Sequence, residues 1–347
     1  MRRSTRCLIG ICYYTSQLLG LITFCYNRTT GEIHTNIITT IYSGIISITY
    51  FGIVPLMTRI DFHPANAKNY DLHHKISAFS CFVRLITVLI SVIMQWTKRN
   101  RFMNILKQLQ AIYDKYVLRW PLSIKVKQKL DQAIRSKFCW GILSNMGLFV
   151  GSIEFLQIQL KLKNPIEYTL LVVVCSIPNI ILCHYYFCVL NINALLESFN
   201  GEVSKILKEF QNICDLEISR EILNCRFGEL ANNVDELARI QLELVQLVNG
   251  INDIYDIQGS FIMLTLYLNN ISVIYMAYMI MQHSYISELY SKWTFDLMAI
   301  SLVCYYMDLK ILLTSMLEVE SHVKETGQLL KNHQPCMHRM DGRLEES

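Results

Sequence analysis

Side chains able to do chemistry are numerous in this 347-residue chain, but they do not cluster. The 12 cysteines are scattered from Cys7 to Cys336 with no C-x-x-C pair, and most lie in apolar runs, which suits small hydrophobes rather than a disulfide framework. His333, Cys336 and His338 come nearest to a metal-ligand set, yet their spacing matches no zinc arrangement and no second pair completes it. His73 and His74 read as a solvated extracellular pair. G-x-S-x-G, H-E-x-x-H and G-x-x-x-x-G-K are all missing, so no catalytic residue, metal site or cofactor is expected. What remains is a set of polar groups inside apolar stretches: Arg84, Glu154, Asp296, Tyr275 and Tyr278. A charge placed in hydrocarbon is costly and marks a functional site by default. Arg84 stands about seven residues from the outer end of its stretch, roughly 10 Å deep at helical rise. Glu154 and Asp296 lie near the outer ends of theirs. Two readings stay open: a polar wall of a ligand cavity facing outward, or a structural ion pair with snorkelling at the headgroups. Asn179, His184, Asn269, Asn270, Tyr305 and Tyr306 are expected mainly to hydrogen-bond between helices.

The elements that must carry these groups follow from composition. The chain is 52% hydrophobic and only 17% charged, against about 25% charged in soluble proteins. Six prolines and 14 glycines exclude a collagenous or disordered chain. A net charge of +4, without a dense basic tract, argues against nucleic-acid binding. About 20 apolar residues cross a bilayer, and six stretches qualify: 36–57, 77–95, 139–157, 168–190, 258–281 and 293–313. A seventh, 7–26, carries no charge but is diluted by Tyr13 to Gln17, so spanning, interfacial and signal roles are all open. The expected fold is all-α: a polytopic membrane helix bundle with long cytoplasmic helices.

Lys and Arg accumulate between the second and third stretches, from Lys98 to Lys137, which places that loop in the cytoplasm. Both termini then also fall inside, in keeping with Arg2, Arg3 and Arg6. The expected layout is a cytoplasmic region 1–35 with the apolar segment, membrane region 36–192 with the helical loop 98–138, cytoplasmic helices 193–257, membrane region 258–313 and a tail 314–347. In the loop, Phe102, Leu106, Leu109, Ile112, Tyr113 and Tyr116 form one helical stripe; Pro121 ends it, and Ser123 caps a new helix. A longer pattern fills 193–250, with a turn expected around Cys214 to Ser219. Its stripes need cover, either from an intramolecular bundle or from another subunit, and the two are compatible.

The layout resembles the insect gustatory receptor family of chemoreceptors. The likeness extends over nearly the whole chain, with local support from Leu19-Gly20-Leu21-Ile22-Thr23-Phe24 and from the tail, Glu318 through Leu329 and Leu330 to Asp341-Gly342-Arg343-Leu344-Glu345-Glu346-Ser347. The resemblance implies a multi-pass cell-membrane protein of sensory-neuron dendrites or axons. It implies a ligand-gated cation channel of four like or related subunits, opened by a small-molecule tastant that binds an outward-facing pocket. The helices around 193–250 would then help build the intracellular anchor where subunits meet. One family element has no match: T-Y, five apolar residues and Q-F in a seventh, pore-lining span, although Arg343 to Ser347 resemble the stretch leading into it. The expectation is that these residues alone form no conducting pore. The alternative is a G-protein-coupled receptor with 7–26 as first span and an outside N-terminus. That topology sets Arg2, Arg3 and Arg6 against the positive-inside trend, and no D-R-Y follows the third span.

Overall fold

A computed structural model describes residues 3–27, 32–58, 71–160, 165–214, 220–282 and 292–332. Eight helices and one small hairpin make up the described residues. They are α1 (Arg3–Leu18), β1 (Phe24–Tyr26), β2 (Ile33–Thr35), α2 (Ile37–Thr58), α3 (Asp71–Thr97), α4 (Arg99–Arg119), α5 (Ile124–Leu160), α6 (Pro165–Cys214), α7 (Arg220–Gln282) and α8 (Lys292–Asn332). The all-α expectation holds, apart from the antiparallel pair β1–β2, in which Cys25 faces His34.

The apolar segment 7–26 is not one continuous helix. Its helix stops at Leu18, and Gly20 turns the chain with φ 70°, a left-handed conformation that side chains with a Cβ avoid. At 16 residues, α1 measures about 24 Å, short of the ~30 Å hydrocarbon core. A Cβ added at Gly20 would meet Ile46 Cγ2 at 2.9 Å, so the turn also brings the chain hard against α2. Gly20→Val is therefore expected to cost about 1–3 kcal/mol, combining the left-handed backbone with overpacking, read as a lower melting temperature in detergent.

Pro121 and Ser123 separate α4 from α5 as their chemistry requires. The Val126 amide donates to Ser123 Oγ at 3.2 Å, an N-cap in the expected place. Residues 215–219, where the second turn is expected, lie outside the described residues, but α6 ends at Cys214 and α7 begins at Arg220 on either side of them.

The long helices run on past the expected membrane boundaries. Helix α6 has 50 residues and α7 has 63, about 75 and 95 Å at 1.5 Å per residue. Among the described residues, 176–213 and 299–331 are long and apolar enough to cross a membrane, while 37–53 and 82–97 are shorter apolar helices. The side chains of 147–160, in the expected third span, lie outside the described residues.

The stripe on α4 is covered from within the chain. Phe102, Ile112 and Tyr116 are buried and Leu106 and Leu109 half-buried, but Tyr113, placed on the stripe by its spacing, is exposed and Ile105 is buried on that face instead. Leu237, Ile240, Leu244, Leu247 and Ile251 form the buried face of α7. The helices come close at Gly250, where a Cβ would stand 2.9 Å from Ile105 Cδ1. Arg101 pairs with Asp253 at 2.6 Å, and Arg119 and Lys115 both reach Glu236. These half-exposed pairs fix register more than they stabilise. Burial pushes the Tyr116 phenol up to about 12, and its hydroxyl lies 3.4 Å from Ser198 Oγ on α6.

Candidate functional site

Helix α3 packs antiparallel on α7: Thr87 meets Thr265, and just past the end of α3, at the start of α4, Arg101 meets Asp253, earlier on α7. The Thr87 and Thr265 hydroxyls lie 2.8 Å apart, so one donates to the other while the accepting hydroxyl gives its own proton to a carbonyl one turn back on its helix, Val83 for Thr87 or Phe261 for Thr265. Threonine suits this place because it presents a small face to the neighbouring helix and bonds its own backbone. Thr87→Val, which keeps the shape, is expected to cost about 0.6 kcal/mol, measured as a small fall in melting temperature that the same change at Thr265 does not add to.

One turn outward from Thr87, Arg84 is half-buried on α3, and its charge reaches the Tyr305 hydroxyl on α8. That hydroxyl is buried and has no hydrogen-bond partner among the described residues. Arg84 therefore has a neighbour that the sequence analysis assigned only to packing. Asp296 does not join it: the residue is exposed near the start of α8, about 13 Å of helical rise from Tyr305, and makes no ion pair with Arg84 among the described residues. Tyr275 and Tyr278 sit together further out on α7, with ring centroids 6.4 Å apart, Tyr275 half-buried and Tyr278 exposed. Glu154 is on α5, but its side chain lies outside the described residues.

A second polar group lies toward the other end of the bundle. Lys137 on α5 is 1% exposed, and its ammonium donates to Asp308 Oδ2 on α8 at 2.7 Å. The same ammonium stands 5.5 Å from the centroid of the Tyr186 ring on α6, so one cation ties three helices. Asp308 Oδ1 accepts no hydrogen bond among the described residues, and Gly141 on α5 lies against it. Sequence reasoning counted Lys137 with the basic loop and passed over Asp308. The signal was available, since Asp308 is a carboxylate inside the apolar stretch 293–313.

Below this pair, side-chain amides continue the join between α6 and α8. Asn193 donates to the Ser315 carbonyl at 2.7 Å, and Asn200 donates to Glu325 at 2.9 Å while accepting from Thr326. On the opposite side, Ser16 of α1 lies 2.7 Å from His184 Nε2, which anchors the amino-terminal helix to the bundle. That hydroxyl–imidazole contact is buried between α1 and α6, and no metal-binding cluster occurs among the described residues. Chemically, the groups around Arg84 offer charge and hydroxyls, and the Lys137–Asp308 pair ties the middles of α5 and α8 together.

Comparison with known proteins gives the chain a context. A family model described as 7tm Chemosensory receptor matches residues 9–347. A Drosophila melanogaster protein named as gustatory receptor 36c is 23% identical over 346 residues, 98% of this chain and 86% of that protein. Those named 36b and 36a, from the same organism, are 24% and 22% identical over 95% and 98% of the chain, and 83% and 85% of their own lengths.

Proposed function

Because the chain belongs to the 7tm chemosensory receptor family, whose model covers residues 9–347, we propose that it is a gustatory chemoreceptor: a subunit of a tetrameric cation channel that a small-molecule tastant opens. The family is one of receptors and not of enzymes, and its members are membrane proteins. The six membrane spans, the cytoplasmic amino terminus and a place in the dendrite or axon of a sensory neuron belong to the same proposal. The observation that carries it is continuity. Helices α7 and α8 run from the apolar stretches into long projecting segments, and α6 does so with Pro178 inside its apolar stretch, so movement at the outer ends can reach a cytoplasmic bundle along the same helices.

Tastant binding is assigned to the outer half of the bundle, where Arg84 with Tyr305, Tyr275 with Tyr278, Glu154 and Asp296 supply charge, hydrogen bonds and aromatic faces. Subunit association is supported by apolar side chains left exposed beyond the expected membrane: Leu242 on α7 and Met316, Leu317 and Leu330 on α8. The test is electrical. Co-expressed with a conducting receptor of the same family, the chain should confer a tastant-evoked cation current that persists in excised patches without GTP. A response that requires GTP would favour the G-protein-coupled alternative, and no change in tastant range would overturn the reading.

A further inference from the structure

A cavity of about 420 Å³ opens between α5, α6 and α8, at the ends of the stretches expected to meet the cytoplasmic surface. Its two halves differ in chemistry. Leu130, Leu190 and Ile311 make one side apolar, whereas Lys129, Glu197 and Glu318 crowd the other. Lys129 lies 3.0 Å from Glu197 and 3.5 Å from Glu318. Burial alone would lower the Lys129 ammonium, but the two carboxylates hold its pKa above the ordinary lysine value. Lys310, exposed on α8, adds a second cation at the rim. Two cations and two carboxylates leave the mouth with no net charge but with both signs displayed side by side.

One buried acceptor is left over. Asn193 lines the cavity and is 3% exposed; its Nδ2 is committed to the Ser315 carbonyl, and its Oδ1 has no hydrogen-bond partner among the described residues. The Ser315 bond fixes the amide orientation, so the orphan is an acceptor and not a misplaced donor. A buried acceptor without a partner is costly, and an occupant that brings an N–H would relieve it.

We infer that this cavity binds the headgroup of an aminophospholipid, phosphatidylethanolamine in chemical class, from the leaflet facing the cytoplasm. Its phosphate suits Lys129 and Lys310, and its primary ammonium has N–H groups for Asn193 Oδ1 and the two glutamates. The first carbons of its chains meet the apolar wall. A choline headgroup carries the same charges but has no N–H, so it leaves Asn193 unmet. The volume falls within the ~300–1,000 Å³ range of ligand pockets, which suits a headgroup and not a whole lipid. The leaflet assignment rests on the six-span reading proposed above; the chemical preference does not.

The experiment is native mass spectrometry of the full chain, purified in detergent, with phosphatidylethanolamine and phosphatidylcholine of identical acyl chains in equal amounts. The expected result is retention of the ethanolamine lipid over the choline lipid by about tenfold, the size of one charge-assisted hydrogen bond. Glu318→Gln should reduce that preference to about threefold or less, while Glu320→Gln, outside the cavity, leaves it unchanged. Should Glu318→Gln fail to fold, Glu197→Gln takes its place with the same expected fall. Equal retention of the two lipids by the parent chain, or an undiminished preference in the cavity variant, would overturn the inference. So would equal displacement by soluble glycerophosphoethanolamine, which assigns the site to a free metabolite. Failure of the chain to enter detergent micelles at all would instead count against the membrane reading.

Discussion

Lys137→Met alone is expected to lower the stability of the folded chain by about 3–5 kcal/mol, the usual cost of leaving one half of a buried ion pair unmatched. The side chain of Lys137 is 2% exposed and that of Asp308 21%, so removal of the ammonium strands a carboxylate that already has one oxygen without a partner. Tyr186 on α6 and Gly141 on α5 flank the pair. Lys137→Met with Asp308→Leu should recover most of the loss, since an apolar pair of similar volume removes both desolvation costs. Melting followed by size exclusion in detergent measures both variants. If the single and double variants melt together, the pair is not the tie between α5 and α8 described above.

Phe102→Ala is expected to cost about 3–5 kcal/mol and to free the amino-terminal hairpin. The ring of Phe102 is the middle of an aromatic chain: it lies 6.1 Å from Phe24 on β1 and 6.1 Å from Tyr255 on α7, and Tyr255 lies 5.2 Å from Tyr185 on α6. Truncation therefore unlinks the hairpin from α4 and α7 at once. Phe102→Leu, which keeps most of the volume, should cost less than half as much. Limited proteolysis should cut the alanine variant between α1 and α2 at least about tenfold faster, because opening tracks the local free energy. Unchanged cleavage would mean that the hairpin is held by α2 alone, through Tyr42 and Tyr50, whose hydroxyls donate to Leu18 and Leu19 carbonyls.

Local chemistry explains why parts of this fold could be read from the residues. Pro121 cannot continue a helix and Ser123 caps one, so the break between α4 and α5 is written in two side chains. The stripe from Phe102 to Tyr116 likewise declares a helix with one covered face. Which partner covers it is not local information, and α7 emerged as that partner only once the helices were placed. The hairpin left a weaker mark: three-residue strands have no periodicity, and only the positive φ demanded of Gly20 separates helix from turn in an otherwise apolar run.

Depth and rotation account for the rest. Counting residues from a span end gives how deep Arg84 or Asp308 lies, but not the direction in which either points. Arg84 has Tyr305 as a described neighbour, while the side chain of Glu154, the carboxylate at similar depth, lies outside the described residues. Asp308 and Lys137, on helices far apart in sequence, come together through a packing angle that no single stretch encodes.

The central claim is a membrane receptor whose projecting helices lie in the cytoplasm together with its amino terminus. Epitope tags placed before Met1 and between Trp120 and Ser123, stained in intact and permeabilised cells, test it most directly. Both tags should be reached only after permeabilisation; staining of either in intact cells would contradict the topology, and staining of the first alone would support an outside amino terminus.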